Sequence, residues 1–229
     1  MPRAAASDSL LPLDDPPVPT DFFERRARKR GATLVAGVDE AGRGPLAGPV
    51  VVAAVAFDGR RFPRGLNDSK LLGAAERERL YVKIMRAGMV SVVVASRSRI
   101  DRMNILQASL WGMTQAVRCL SRAPDHVLVD GNLLPPGLPC RGEALVSGDS
   151  RSVSIAAASI IAKVTRDRLM ARVGAAFPDY GFESHMGYST PRHFEALAEH
   201  GPCPHHRQSF APVRNRLGDE AVDGDVLLI

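Results

Sequence analysis

The sequence predicts an α/β protein, with a mixed β-sheet flanked by helices and a helical region at the C-terminal end. Three observations predict this. Short apolar runs and helix-spaced segments follow one another as strand, strand, helix, strand, helix, strand, strand, helix, helix. The stretch from Ser152 to Ala176 is helical throughout, and its first half, Val153 to Ala162, is nearly all apolar and alanine-rich. It should lie buried, close to a neighbouring backbone. Acidic residues close the apolar runs at Asp39-Glu40, Asp130 and Asp149, and strand ends are where ligand sites of such sheets lie. With 229 residues, 45% hydrophobic and 24% charged, the composition is ordinary for a globular chain and allows a substantial core.

In chain order, the Ala, Ser, Asp and Pro-rich start up to about residue 19 has too little apolar content to pack. Thr20 can cap a short helix through Phe22, Phe23 and the basic run Arg25, Arg26, Arg28, Lys29, Arg30. That run reads as a solvated face, with phosphate contact as the alternative. Strands are expected at 33–38 and 49–57, with a turn at Asp58-Gly59. Asn67-Asp68-Ser69-Lys70 is a polar loop, 74–86 a charged helix, and Met89 to Ser96 a Val-rich strand. Ile105, Leu110, Met113 and Val117 give Ile100 to Leu120 helical spacing, with Trp111 in the core. Val127 to Val129 is a short buried strand, and Leu145-Val146 is another. Thr190-Pro191 starts a helix that Gly201 stops. The expected organisation is a loose extension over 1–31, one folded domain over 32–216 and a loose tail over 217–229.

The net charge of +5 favours an anionic partner such as nucleic acid, although solubility alone would also account for it. Cys119, Cys140 and Cys203 have no paired spacing, which indicates free thiols and a reducing compartment. No apolar run has membrane-spanning length and the N-terminus lacks a signal pattern, so a cytoplasmic protein without membrane contact is expected.

The stretch from Gly37 to Val55 carries the chemistry. An apolar run delivers Asp39 and Glu40 to a glycine turn, Gly42-Arg43-Gly44-Pro45. The spacing of Gly42, Gly44 and Gly48 is one residue too long for a dinucleotide fingerprint. Pro45 removes a donor, and a strand follows where that fingerprint needs a helix. No Gly-Lys-Ser or Gly-Lys-Thr follows for a phosphate loop. A hairpin with a polar turn remains the structural alternative. With Asp130 and Asp149, the strand ends offer only oxygen ligands, which suits magnesium or manganese; pairing with arginines is the other account. Neighbouring residues in a strand face opposite ways, so Asp39 and Glu40 share a site only if the strand ends or bulges there. Ala41-Gly42 permits that.

Asp-Glu-Ala-Gly-Arg-Gly at 39–44, Asn67 to Lys70, Val129 to Asn132, Gly148 to Ser150, Ala156 to Asp167, Gly187 to Thr190 and Ser209 to Arg214 resemble, in the same order, the bacterial ribonuclease HII (type 2 ribonuclease H) family. The resemblance runs from about Gly37 to Arg214. It implies a ribonuclease H-like catalytic domain over 32–216. It implies an endonuclease that cuts the RNA strand of RNA–DNA hybrids, and cuts 5′ of single ribonucleotides in duplex DNA, leaving 3′-hydroxyl and 5′-phosphate ends. It further implies four metal-binding catalytic carboxylates, Asp39, Glu40, Asp130 and Asp149, with two Mn2+ or Mg2+ ions per site during catalysis. Gly42, Arg43 and Gly44 become the substrate turn and Tyr188 the junction-sensing ring. The related ribonuclease HIII carries a larger N-terminal substrate-binding domain, for which the about 31 loose residues expected before the core are too few, so ribonuclease HII fits better. A non-catalytic hybrid-binding module on the same scaffold is the alternative, but a binder gains nothing from negative charge set against phosphates.

Other residues carry less specific signals. Lys70, Lys163, Arg166 and Arg207 are candidates for gripping phosphates, and Ser159 shares a helix face with Lys163. Lys163 and Asp167 are spaced as a surface ion pair. His200, Cys203, His205 and His206 lack a second ligand pair at zinc-finger spacing. Tyr188 lies between Gly187 and the helix start at Thr190-Pro191, a loop that favours an exposed ring. A monomer is expected.

Overall fold

The computed structural model describes residues 18–59 and 61–217. Five strands form one sheet in the order β3-β2-β1-β4-β5. They are β1 (Val35–Ala41), β2 (Val50–Ala56), β3 (Met89–Ala95), β4 (His126–Asp130) and β5 (Arg141–Leu145). β1, β2 and β3 form an antiparallel meander, while β4 and β5 run parallel to β1. Helices cover both faces. α4 (Ile105–Arg118) packs Met113 and Val117 against Val38, Val52 and Val129. α2 (Ala74–Ala87) and α5 (Val153–Ala176) pack Leu80, Ile84, Ala157 and Ile161 against Ala53 and Val55. β2 is buried on both faces and is accordingly apolar throughout, Val-Val-Val-Ala-Ala-Val-Ala, rather than alternating.

Gly37 sets how closely α5 approaches the sheet. A Cβ there would stand 2.2 Å from the Ser154 carbonyl carbon and 2.3 Å from the Ile155 nitrogen. Helix backbone lies directly on strand backbone at this point, which is why the facing helix is alanine-rich. That contact carries the strand end, and with it Asp39, hard against the helix.

Several expectations need correction. The segment expected as one helix over 100–120 is two, α3 (Arg97–Met103) and α4. Asn104, at φ 65°, breaks the chain, and its side chain accepts from Gln107 N at 3.0 Å to start α4. The strand expected at Leu145-Val146 is β5, which ends at Leu145; Val146 is exposed. Trp111 is only partly buried, with the Arg99 guanidinium 3.8 Å above its ring.

The described part of the expected loose extension is packed. α1 (Phe22–Lys29) buries Phe23 and Ala27 against Val35, Leu128 and Ile155. Buried Glu24 accepts from Ser154 N at 2.9 Å and from the Ser152 and Ser154 hydroxyls at 2.6 Å each, capping α5 from another helix. Within the basic run, Arg26 pairs with Glu143 and Arg28 donates to the Gly59 carbonyl. Residues 1–17 lie outside the described residues, as does the tail beyond Leu217.

The C-terminal region folds as α6 (Phe182–His185), α7 (Pro191–His200) and α8 (Ala211–Leu217). α7 starts as its sequence predicts, with the Thr190 hydroxyl accepting from His193 N at 3.3 Å and Pro191 in the first turn. Among the described residues, no helix is long and apolar enough to cross a membrane.

Candidate active site

Register builds the acidic centre. β1 and β4 are parallel and their ladder ends with Val38 beside Val129, so Asp39 and Asp130 are the next residue on each strand. In-register residues of neighbouring strands share a face, which sets these two carboxylates side by side at the carboxyl end of the sheet. Asp149 comes from a 3-10 turn, Gly148–Ser150, three residues beyond β5 and leading into α5. Gly148 N donates to Asp130 Oδ1 at 2.7 Å, tying that turn to β4. A Cβ on Gly148 would meet Ile155 Cδ1 at 2.6 Å.

Glu40 arrives differently from expectation. β1 neither ends nor bulges at Asp39-Glu40: its ladder with β2 runs on through Ala41 paired with Val51. The two side chains therefore leave opposite sides of the strand. Both still line one cleft, because β4 stops at Asp130 and leaves that flank of β1 open. The cleft, about 490 Å³, is walled by Asp39, Glu40, Gly42, Arg43, Gly44, Lys70, Asp130, Ser159, Lys163 and Tyr188, together with Ser69 and Arg77. Asp149 meets it through Lys70, whose Nζ lies 2.9 Å from Asp149 Oδ2 and 3.5 Å from Asp68 Oδ1.

The electrostatics are those of concentrated negative charge. Burial, then the charges of Glu40 and Asp130, hold the Asp39 carboxyl well above the usual range. Burial, then Asp149, raises Asp130. Burial also raises Glu40 against the opposing pull of Arg43, whose Nη1 lies 3.2 Å from Glu40 Oε1. Burial works against the Lys70 charge, but the hydrogen bond and charge of Asp149 outweigh it and hold the ammonium above its ordinary range.

Among the described residues, no three His, Cys, Asp or Glu side chains already converge as a cage. Each carboxylate instead leans on a local donor: Glu40 N for Asp39 at 2.7 Å, Gly148 N for Asp130, Arg43 for Glu40, and Lys70 for Asp149. Glu40 Oε2 is buried with no hydrogen-bond partner. An oxygen-only donor set, mutual repulsion and one orphaned buried oxygen fit a hard divalent cation.

Arg166 and Arg207 do not reach for phosphates. Both side chains are fully buried. Arg166 donates to the carbonyls of Pro49 at 3.0 Å and Ala47 at 3.2 Å. Arg207 donates to Gly48 at 3.0 Å, Arg43 at 2.8 Å and Gly42 at 2.6 Å. Burial pulls both below the ordinary guanidinium range, but a guanidinium remains charged at neutral pH. The carbonyls of residues 42 and 43 thus point inward. In trans peptides the N–H groups of Arg43 and Gly44 then point the opposite way, away from the arginines. Gly42 is at φ 98°, and a Cβ there would lie 2.0 Å from Arg166 Nε, so no other residue fits.

The remaining wall residues have clear partners. Ser159 Oγ lies 2.8 Å from Ser69 Oγ, joining α5 to the Lys70 loop. Lys163 pairs with Asp167 at 2.8 Å and stands 5.9 Å from the Tyr188 ring centre. Tyr188 is 42% exposed, and its Cε1 lies 4.0 Å from where a Gly44 Cβ would be. Arg77 was not visible as a site residue in sequence. It lies among the charged positions of α2, and only the fold turns it toward the Ser69 carbonyl, at 3.0 Å.

A five-stranded mixed sheet with a carboxylate cluster at its strand ends and helices on both faces defines the ribonuclease H-like class of enzymes. A family model described as Ribonuclease HII matches residues 36–213. Ribonuclease HII of Rhizobium johnstonii is 55% identical over 208 residues, which is 90% of this chain and 91% of that one. Ribonuclease HII of Rhizobium meliloti is 57% identical over 215 residues, 93% of this chain and 99% of that one. The crystal structure of ribonuclease H2 from Pyrococcus horikoshii superposes with a TM-score of 0.69 at 31% identity, covering 80% of this chain and 96% of its own. The chain belongs to the ribonuclease HII family. It is an endoribonuclease of the ribonuclease H type, acting on RNA–DNA hybrids. No finding favours a binding-only role.

Proposed function

We propose that Asp39, Glu40, Asp130 and Asp149 hold divalent cations, Mg2+ or Mn2+, and that the cleft around them cuts 5′ of a ribonucleotide, in a hybrid or embedded singly in duplex DNA. The observation that carries this reading is the β1–β4 register, which sets buried Asp39 and half-buried Asp130 side by side under the glycine turn and Tyr188. Bound divalent cations supply Lewis acidity, activating water and stabilising the charge that develops on the leaving 3′ oxygen.

The chain's own residues do the rest. The N–H groups of Arg43 and Gly44 are the donors nearest the turn, held by the buried arginines without cost of reordering, and they suit the 2′-hydroxyl that separates RNA from DNA. The Tyr188 ring offers a stacking surface to the sugar beside it. Lys163 and the largely exposed Lys70 supply positive charge for phosphates. Ser159 fixes the Lys70 loop through Ser69. No histidine lines this cleft among the described residues, so proton transfer does not call on an imidazole. The chain is expected to act as a monomer in the cytoplasm.

The test is cleavage of a duplex carrying one ribonucleotide, with and without chelator, with the product ends mapped. Cleavage that persists in excess chelator, or a cut on the 3′ side of the ribose, would overturn the reading.

A further inference from the structure

Behind Tyr188 lies a buried cluster of histidines that the reaction does not use. His193 and His206 are fully buried and His185 nearly so. Their hydrogen bonds run in one direction. Cys203 N donates to His206 Nδ1 at 2.9 Å, so the His206 proton sits on Nε2. That nitrogen lies 3.0 Å from His193 Nε2, which must accept, so His193 carries its proton on Nδ1. Nδ1 in turn lies 2.8 Å from the Tyr188 carbonyl oxygen and donates to it. Thr190 N donates to the same oxygen at 2.9 Å.

The backbone that leads into Tyr188 makes a tight left-handed turn. Met186 is at φ 51° and Gly187 at φ 81°, two consecutive left-handed residues, and a Cβ on Gly187 would stand 2.6 Å from the Ala47 carbonyl. His185 braces the same turn, accepting from Gly187 N at 3.2 Å and donating to the Tyr180 carbonyl at 2.8 Å. Its ring stacks on His193 with centroids 4.6 Å apart. The segment is also tied to the glycine turn, since Leu46 N donates to the Gly187 carbonyl at 2.9 Å.

We infer that His193, oriented by His206, is a positioning residue for Tyr188: it holds the Tyr188 carbonyl at the exit of the Met186-Gly187 turn so that the ring stands over the Gly42–Gly44 turn. The inference rests on the reading of Tyr188 as the ring that meets the ribonucleotide. A left-handed turn without such anchors would spend part of its time elsewhere, and a displaced ring loses contacts made only at the junction of ribose and deoxyribose. The effect therefore falls on the choice of substrate.

Two substitutions separate the two ends of the His193 ring. His193→Asn places an amide N–H near Nδ1 and keeps the bond to Tyr188. His193→Gln places its amide near Nε2, keeping the His206 contact and losing Tyr188. The readouts are the Tyr188 carbonyl carbon resonance in the free labelled protein, kcat/KM on the single-ribonucleotide duplex and on a uniform hybrid, and Tm. His193→Gln should shift the resonance and lower the single-ribonucleotide to hybrid ratio about tenfold, the equivalent of one lost hydrogen bond. His193→Asn should keep both near wild type. If His193→Gln does not fold, His206→Asn decides, because it keeps the Cys203 bond and removes only the donor to His193; it should give an intermediate loss. A wild-type ratio in His193→Gln, or equal losses on both substrates, overturns the inference. Tyr188→Ala runs alongside: if it too leaves the ratio unchanged, the reading of Tyr188 fails and takes the positioning role with it. If Tyr188→Ala lowers the ratio and His193→Gln does not, only the positioning role fails.

Discussion

At the scale of single residues, the acidic centre is held against its own repulsion. The raised positions of Asp39 and Asp130 mean that their ionised forms cost folding free energy in the metal-free protein. Asp39→Asn and Asp130→Asn should therefore abolish cleavage while raising the metal-free Tm. Thermal unfolding with and without Mg2+ checks this, since the cation should stabilise wild type more than either variant. Near-normal turnover by either variant at millimolar-range Mg2+ would sink the assignment. Asp149→Asn should be severe on Mg2+ and partly restored on Mn2+, which binds the remaining oxygen ligands more tightly.

At the scale of elements, the glycine turn is shaped from behind. Three carbonyls of the turn and its exit converge on Arg207, and two more on Arg166. A lysine has no planar fork, so Arg207→Lys forfeits at least two of its three bonds, at about 1.5–3 kcal/mol each for charged donors. The expected outcome is a tenfold or larger loss of kcat/KM on every ribose-containing substrate, with a lower Tm. A loss in Tm alone would show that the arginine holds the fold and not the turn. Gly37 tests the other wall. Gly37→Ala forces α5 off β1 and should cost about 1–3 kcal/mol, read as a lowered urea midpoint, with activity falling as Asp39 moves relative to Asp149.

At the scale of the whole molecule, two sets of titrating groups give stability opposite slopes with pH. Burial, then the charge of His193, lowers His206 to about 4, and burial lowers His193 too. Unfolded histidine takes up its proton near 6.5, so between these values the unfolded chain binds more protons. This contribution is present above about pH 6.5 and is lost as pH falls, at up to about 1.4 kcal/mol per pH unit for each histidine. Asp39, Glu40 and Asp130 are raised, so their contribution is full below about pH 4 and is lost as pH rises through their folded values. Tm measured from pH 4 to 8 in chelator should fall on the acid side less steeply in His206→Asn. It should fall toward neutral pH less steeply in Asp39→Asn. Curves identical to wild type would contradict both assignments.

The sequence alone determined the kinds of elements and the chemistry at their ends. Period and composition marked the strands and the long apolar helix, Thr190-Pro191 and Ser152 marked helix starts, and acids after apolar runs marked the carboxyl edge of the sheet. These are local signals, set by backbone geometry within a few residues. What the tertiary structure decided is who stands beside whom. The parallel register that pairs Val38 with Val129, and so brings Asp39 beside Asp130, joins residues far apart in the chain, and nothing local encodes it. Arg166 and Arg207 look like phosphate ligands in sequence because an arginine's partner is written in its surroundings, and here the surroundings are inward-facing carbonyls. The short helix after Thr20 is legible but reads as part of a loose extension, because its seat is distant in sequence: Glu24 caps another helix, and Phe23 and Ala27 pack on the sheet and α5. His206 stands out in sequence only as part of an incomplete zinc set, and the fold instead buries it against His193, where the hydrogen bonds leave each of the two rings one direction in which to donate.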